Sequence, residues 1–342
     1  MMRSPSSTST PDPEKSLRGF PGGKGGGVAA TEGLRRSLGG LSEAEFRDRF
    51  GSEEGCRKAL FEMRWREGLT CPNCGHRGFC ELKTRKVFQC NRCKKQLSLT
   101  AGTVFQDSKL PLTTWFCAIY HLTQSKGGIS SIELGRRLGV KQATAWLVKH
   151  KLMRTMADRE ARKPKLQGRV EIDDAYLGGE RAGGKRGRGA AGKTPIVAAV
   201  ETTPERKPRR LRLTVVKGFR KKEVEKLAKR DLAPGSNVVS DGLSCWPAVA
   251  KAGCRHFPMV TGSGRQAARW VPFRWVNTTL GNIKTAIAGT YHHVSAKHAQ
   301  SYLTSFAYRF NRRFQLDSIV QRLAWAAART APQPYRVIIA DV

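Results

Sequence analysis

From residue 41 the apolar positions recur at helical spacing. Phe46, Phe50, Leu60, Phe61 and Met63 are separated by charged residues and punctuated by Gly51, which predicts two short helices over residues 41–65. Residues 112–156 keep the helical period. Within them, SSIELGRRLGVKQATAWLVKHKLMRTM predicts a helix from about 131, a turn at Gly139 and a second helix from about 141, with Ile132, Leu138, Val140 and Trp146 as the core between them. After a basic linker ending at Gly168 the period changes. RVEIDDAYLGG, PIVAAVE, RRLRLTVV and NVVSD are four apolar, β-branched runs separated by turn and basic segments. KKEVEKLAKRDL, between the last two, has helical spacing with its charges outward. Three strands, a helix, a further strand and then mostly helices predict an α/β domain. In YLTSFAYRFNRRF the aromatics sit at helical spacing and read as a core face.

Composition adds a partner to this outline. The chain has 342 residues, enough for two or three domains, and 62 Lys and Arg against 27 Asp and Glu give it a formal charge of +35. Such a field attracts a polyanion, and nucleic acid is the leading partner. No run of 18 apolar residues occurs, and the N-terminus lacks the apolar core of a signal peptide, so a membrane role is not expected and the cytoplasm, at the nucleoid, is the expected location. Thiols stay reduced there, and the nine cysteines read as metal ligands or core residues before disulfides. Residues 1 to about 40, rich in Ser, Pro and Gly, read as a disordered basic tail.

Cys71, Cys74, Cys90 and Cys93 stand as C-x2-C-x15-C-x2-C, two knuckles whose thiolates can complete a tetrahedral Zn2+ site. Cys80 and His76, between the knuckles, read as bystanders. The polar segments around them suit a zinc ribbon with a structural ion. Lys141, Gln142 and Thr144 lie where a recognition helix meets the major groove; an ordinary helical hairpin is the alternative. GRGAAGKT, residues 187–194, satisfies the phosphate-loop pattern, but Pro195 and an apolar strand follow where that loop needs a helix. The surrounding glycines and Lys185, Arg186, Arg188 and Lys193 are instead expected to form a basic hairpin on a DNA backbone.

Asp173 lies in an otherwise apolar strand beside Asp174, and alternation does not settle which of the two faces inward. Asp241 closes the run NVVSD. Carboxylates at buried strand ends are costly unless paired or holding a metal, and two of them on neighbouring strands can share a divalent cation suited to phosphodiester chemistry. The alternative makes Asp241 a helix cap and Asp173 an ion-pair partner. His256, His292, His293 and His298 read as packing or DNA-contact residues, because metal-ion chemistry needs no histidine base.

VEIDDAYLGGERAGGKRGRG, VVSDGLSCW and WVNTTLGNIKTAIAGTYHHVSAKHAQSYLTSFAYRFNRR, together with CPNCG and RKVFQCNRCKKQLSLTAGTVF, resemble the ISXO2-like insertion-sequence transposases of bacteria, over roughly residues 43–330. The resemblance implies an N-terminal zinc ribbon and an RNase H-like catalytic domain with an Asp, Asp, Glu or Asn, Lys set. It matches Asp173 and Asp241 to the first two metal-binding acids, Asn277 to the third position and Lys284 to the lysine, with Mg2+ or Mn2+ as the catalytic ion. Downstream of Asp241 the chain contains no Glu, and its only acids are Asp317, which has the look of a helix N-cap, and the penultimate Asp341. Either Asn277 supplies the third ligand as a neutral carbonyl oxygen or the enzyme is inactive.

The expected architecture is multidomain α/β: an RNase H-like mixed sheet with flanking helices, preceded by a zinc ribbon and a helix-turn-helix. Its expected parts are a tail at 1–42, helical lead-in and ribbon at 43–105, helix-turn-helix at 106–160, catalytic domain at 161–315 and a C-terminal helix and tail at 316–342. The expected activity is transposition: hydrolysis at element ends and strand transfer, on double-stranded terminal inverted repeats and target DNA, by at least a dimer. The rival readings are a non-catalytic DNA-binding regulator and, further off, a phosphate-loop NTPase.

Overall fold

In the computed structural model, residues 40–178, 193–259 and 271–340 are described. The expected tail, apart from its last residues, and Lys185, Arg186 and Arg188 of the basic hairpin lie outside these residues.

The chain enters its first helix through a capping box. Ser42 accepts from the Glu45 amide, and the Glu45 carboxylate returns to the Ser42 amide at 2.9 Å, so α1 (Glu43–Phe50) starts with its first-turn donors satisfied. Ser52 caps α2 (Glu53–Arg64) by accepting from the Gly55 amide at 3.0 Å. Three short antiparallel strands follow, β1 (Phe79–Leu82), β2 (Val87–Cys90) and β3 (Gln96–Ser98). Phe88 of β2 sits against Phe61 and Trp65, with ring centroids 5.1 and 5.7 Å away, which fastens this small sheet to α2.

Helix α3 (Leu112–Gln124) has Pro111 ahead of it and no cap of its own. Glu53 supplies one from α2, its two carboxylate oxygens each 3.1 Å from the amides of Leu112 and Thr113. Helices α4 (Ser131–Leu138) and α5 (Gln142–Ala161) meet across a turn in which Gly139 adopts φ +64°. Gly135 lets the two helices close, because a Cβ there would stand 3.0 Å from the Val140 carbonyl. The core of this pair matches the expected one in part, with Leu138 and Val140 packed against it. Leu134, Ala145, Val148 and Leu152 are buried, whereas Ile132 is 57 % exposed and Trp146 is half-buried, stacked on His150. Ile132 precedes Leu134 by two residues, about 200° around a helix, so the two cannot share a face.

A five-stranded sheet forms the second half. Its strands are β4 (Arg169–Leu177), β5 (Thr194–Thr202), β6 (Pro208–Val215), β7 (Asn237–Ser240) and β8 (Arg255–Pro258), in the order β6-β5-β4-β7-β8. The first three are antiparallel, while β7 and β8 run parallel to β4. Helix α6 (Lys221–Asp231) makes the crossover to β7. β8 is absent from the sequence expectation because RHFP is short, mostly exposed and charged, with no apolar alternation to mark it. One face of the sheet packs Val170, Ile172, Val197 and Val238 under α6 and the 3-10 turn Trp246–Ala252. The other packs Ala175, Ile196, Ala198 and Val200 under α7 (Arg274–Ala286) and α8 (Ala296–Phe310). This is a mixed sheet flanked by helices, as expected of an RNase H-like domain.

Thr194–Thr202 is strand, so the run GKT leads into β5 and the helix that a phosphate loop requires is not there. The last long helix, α9 (Ile319–Ala327), returns to the N-terminal helices, and α10 (Tyr335–Ala340) follows it. Ile319, Val320, Leu323, Ala324 and Ala327 share one core with Phe50, Leu60, Trp115, Phe116 and Leu152. Asp317 is not the cap of α9. Ser318 precedes that helix in a helical conformation without a side-chain cap bond, and Asp317 lies exposed in the turn before it.

Candidate active site

The register of the parallel pair brings the two separated aspartates together. Glu171 stands opposite Val239, and continuing that offset by two residues puts 173 beside 241, at strands spaced about 4.8 Å apart. Alternation along β4 then assigns the faces. Glu171, Ala175 and Leu177 are on the side of α7, and Val170 and Ile172 on the side of α6, so Asp173 faces α7 and Asp174 faces the other way. Both faces of β4 are covered, which is why hydrophobic alternation alone could not choose between them.

At this end of the strand Asp173, Asp174 and Asp241 are half-buried, with one carboxylate oxygen from each lying within 4.8 Å of the others. The Asp174 amide donates to Asp173 Oδ1 at 2.8 Å. Asp241 is oriented by the Trp246 indole, which donates to Oδ1 at 2.6 Å, and by the Leu243 amide at 3.1 Å. The Ser240 hydroxyl donates to the Asp241 carbonyl at 2.9 Å and lies 2.8 Å from His256 Nε2. Burial lowers the His256 pKa, which favours its neutral form.

The three oxygens fit a hard divalent cation. Oxygens sharing an octahedral Mg2+ at about 2.1 Å are roughly 3–4 Å apart. Three carboxylates this close repel one another, and a cation between them removes that cost. Asn277, half-buried, and Lys284, exposed, both lie on α7, seven residues apart and so close to one line along the helix. Asp174 and Trp246 were not foreseen as site members. The adjacent acid was visible as a residue, but its nearness to Asp241 is set by a strand sixty residues away.

The four ribbon cysteines converge in the same manner. Their sulfur atoms all lie within 4.8 Å of one another, with Cys71 and Cys93 at 3.5 Å and Cys74 and Cys90 at 3.6 Å. Thiolates at about 2.3 Å from a tetrahedral Zn2+ stand roughly 3.8 Å apart, so the set fits zinc. A hydrogen bond from Asn73, and another from the Lys95 backbone, lower Cys93 to about 6, favouring the thiolate that binds metal. Cys80 is exposed on β1, outside the cluster.

Of the residues expected to meet DNA, Lys141 and Gln142 are exposed at the start of α5, Thr144 is half-buried, and Gln142 donates to Ser131 Oγ at 2.9 Å. Lys193 is half-buried just ahead of β5. His298 and His150 pack together, with ring centroids 4.9 Å apart. Among the described residues no helix is long and apolar enough to cross a membrane.

Residues 51–96 match the transposase zinc-ribbon domain, and residues 165–311 match the ISXO2-like transposase domain. Over 148 residues the chain is 32 % identical to an uncharacterized protein in the transposable element ISH50 of Halobacterium salinarum, a match that covers 41 % of this chain and 49 % of that protein. The chain thus spans about half the length of this curated relative. With the ribbon cysteines inside the first match and the aspartate cluster and Asn277 inside the second, the chain carries a transposase zinc-ribbon domain and an ISXO2-like transposase domain.

Proposed function

We propose that this chain is a DNA transposase that binds the ends of its element, hydrolyses a phosphodiester there and joins the freed 3′ hydroxyl to target DNA. The observation that carries the reading is the convergence of Asp173, Asp174 and Asp241 at the end of a parallel strand pair, within the matched transposase domain. Bound Mg2+ or Mn2+ would activate the attacking oxygen and stabilise the leaving one. Asp173 and Asp241 would hold the ion, with Asp174 beside them, and Trp246 and the Leu243 amide keep the Asp241 carboxylate turned toward the site. Asn277 would add a neutral oxygen, and Lys284 a mobile positive charge for the phosphate backbone.

The residues assigned to DNA follow from the same reading. Lys141, Gln142 and Thr144 would meet base edges from the start of α5, and Lys185, Arg186, Arg188 and Lys193 would contact the backbone. The parts would be a tail at 1–42, ribbon and lead-in at 43–105, helix-turn-helix at 106–160, catalytic domain at 161–315 and C-terminal segment at 316–342. Two ends must be synapsed, so at least a dimer would assemble on DNA.

The test is cleavage of labelled element-end DNA against Mg2+ and Mn2+ concentration. Asp173→Ala and Asp241→Ala should abolish cleavage and keep specific DNA binding. Asn277→Ala should lower the rate strongly, and Asn277→Asp should retain activity with a shifted metal optimum. Full cleavage by both aspartate variants would end this reading.

A further inference from the structure

Helix α7 has no capping side chain of its own: Phe273 precedes it, and a helix leaves its first-turn amides without internal partners. Those of Trp275 and Val276 donate instead to Glu171 Oε2 on β4, at 2.9 and 3.1 Å. Glu171 is fully buried, a costly place for a carboxylate unless its oxygens are satisfied. Its Oε1 accepts from Arg169 Nη1 at 2.8 Å, two residues back on the same strand. The Arg169 guanidinium also reaches the Pro272 carbonyl at 2.9 Å and Thr202 Oγ1 on β5 at 3.3 Å. Arg169 and Glu171 thus grip residues 272–276 from both sides of the helix start. The negative charge lies at the positive end of the helix dipole, where it is favoured.

The position of this grip gives it a consequence. Glu171 is two residues before Asp173 on the same face of β4, and Val276 is the residue before Asn277. We propose that Glu171, locked by Arg169, is a positioning residue of the metal site: it fixes α7 against β4 and so sets where Asn277 stands relative to Asp173 and Asp241. The proposal rests on reading Asp173, Asp241 and Asn277 as a metal-binding set. A metal site tolerates about 0.5 Å of error in its ligands, so a helix start held at three backbone groups by one strand matters to it. Glu171 itself is engaged away from the ion and is no ligand.

The experiment uses the full chain with zinc bound and compares Glu171→Gln with Glu201→Gln. Glu201 is a comparably buried carboxylate on β5, held by Arg209, Arg210 and the Gln167 amide rather than by the start of α7. Three readouts are taken: thermal stability, Mn2+ binding followed by electron paramagnetic resonance, and deuterium exchange of the peptide 272–286. Both variants should melt earlier. Only Glu171→Gln should weaken Mn2+ binding, by roughly tenfold, as expected when an outer-shell partner is lost, and only it should speed exchange in residues 272–286. Rescue of Mn2+ affinity is not expected from Glu171→Asp, whose shorter side chain cannot span both Arg169 and the helix amides. Equal Mn2+ affinity in the two glutamine variants would overturn the proposal while leaving the site reading intact. Mn2+ binding unchanged by Asp241→Asn would overturn the site reading itself, and this proposal with it.

Discussion

Lys149 is buried to 1 % exposure among Arg309, Tyr291, Tyr302 and His150. Its Nζ donates to the Ile129 carbonyl at 2.8 Å and lies 4.2 and 4.5 Å from the ring centroids of Tyr291 and Tyr302. Burial, and then the nearby Arg309, lower its pKa to about 7. The unfolded chain holds that proton up to about 10.4, so between the two values the unfolded state binds more protons and stability rises with pH. Below pH 7 the whole cost of the buried charge is present, on the order of a few kcal/mol. Lys149→Met carries no such proton. The stability gap between wild type and this variant should therefore shift in favour of the wild type from pH 7 to 10, measured by denaturant unfolding at each pH; parallel profiles would show that the rings and the Ile129 carbonyl keep the ammonium charged. None of this was legible in the sequence, because Lys149 reads as one basic residue among many and the rings and the guanidinium around it come from residues 291–309. The clustered aspartates were legible for the opposite reason: an acid in an apolar run is conspicuous wherever the chain takes it.

Elements were more readable than their junctions. The helical and strand periods located α1 to α6 and β4 to β7, since each buries a face whose spacing the residues record. The caps were not readable, because Glu53 serves α3 and Glu171 serves α7 from distant elements, 59 and 104 residues away at the nearest amides. The ribbon shows why such junctions matter. Four thiolates can organise β1 to β3, but Phe88 is also packed on Phe61 and Trp65, and Arg64 donates to the Ser98 carbonyl at 3.1 Å. Removing a ligand with Cys71→Ser should therefore release zinc and also loosen the end of α2, leaving the sheet β4 to β8 intact. Zinc content by metal analysis and deuterium exchange along the chain would check this. Faster exchange confined to residues 70–98, with residues 58–65 unaffected, would show that α2 holds without the ribbon.

At the scale of the whole molecule, the first described helices and α9 share one core. α9 packs Ile319, Val320, Leu323 and Ala327 among residues of α2, α3 and α5, and the Val104 amide donates to the Ala327 carbonyl at 3.4 Å. No periodicity reveals such a return, since an amphipathic helix states that it has a buried face and not which partner covers it. The N-terminal helical region is therefore not complete without residues from beyond the sheet. Ending the chain after Leu316 should destabilise residues 41–156, whose core loses about five apolar side chains, at roughly 1–3 kcal/mol each. Among the described residues neither core on the faces of the sheet contains a residue of α9, so the sheet should persist. DNA binding should separate along the same line. The net charge of +35 barely changes, so salt-sensitive binding to any sequence remains, while discrimination of element ends, proposed to lie at the start of α5, is lost with the core that holds that helix. Exchange protection in α3 and α5, together with binding to element-end and random DNA across a salt series, measures both halves. A truncated chain that still prefers element ends would show that α5 is held by α4 and α8 alone.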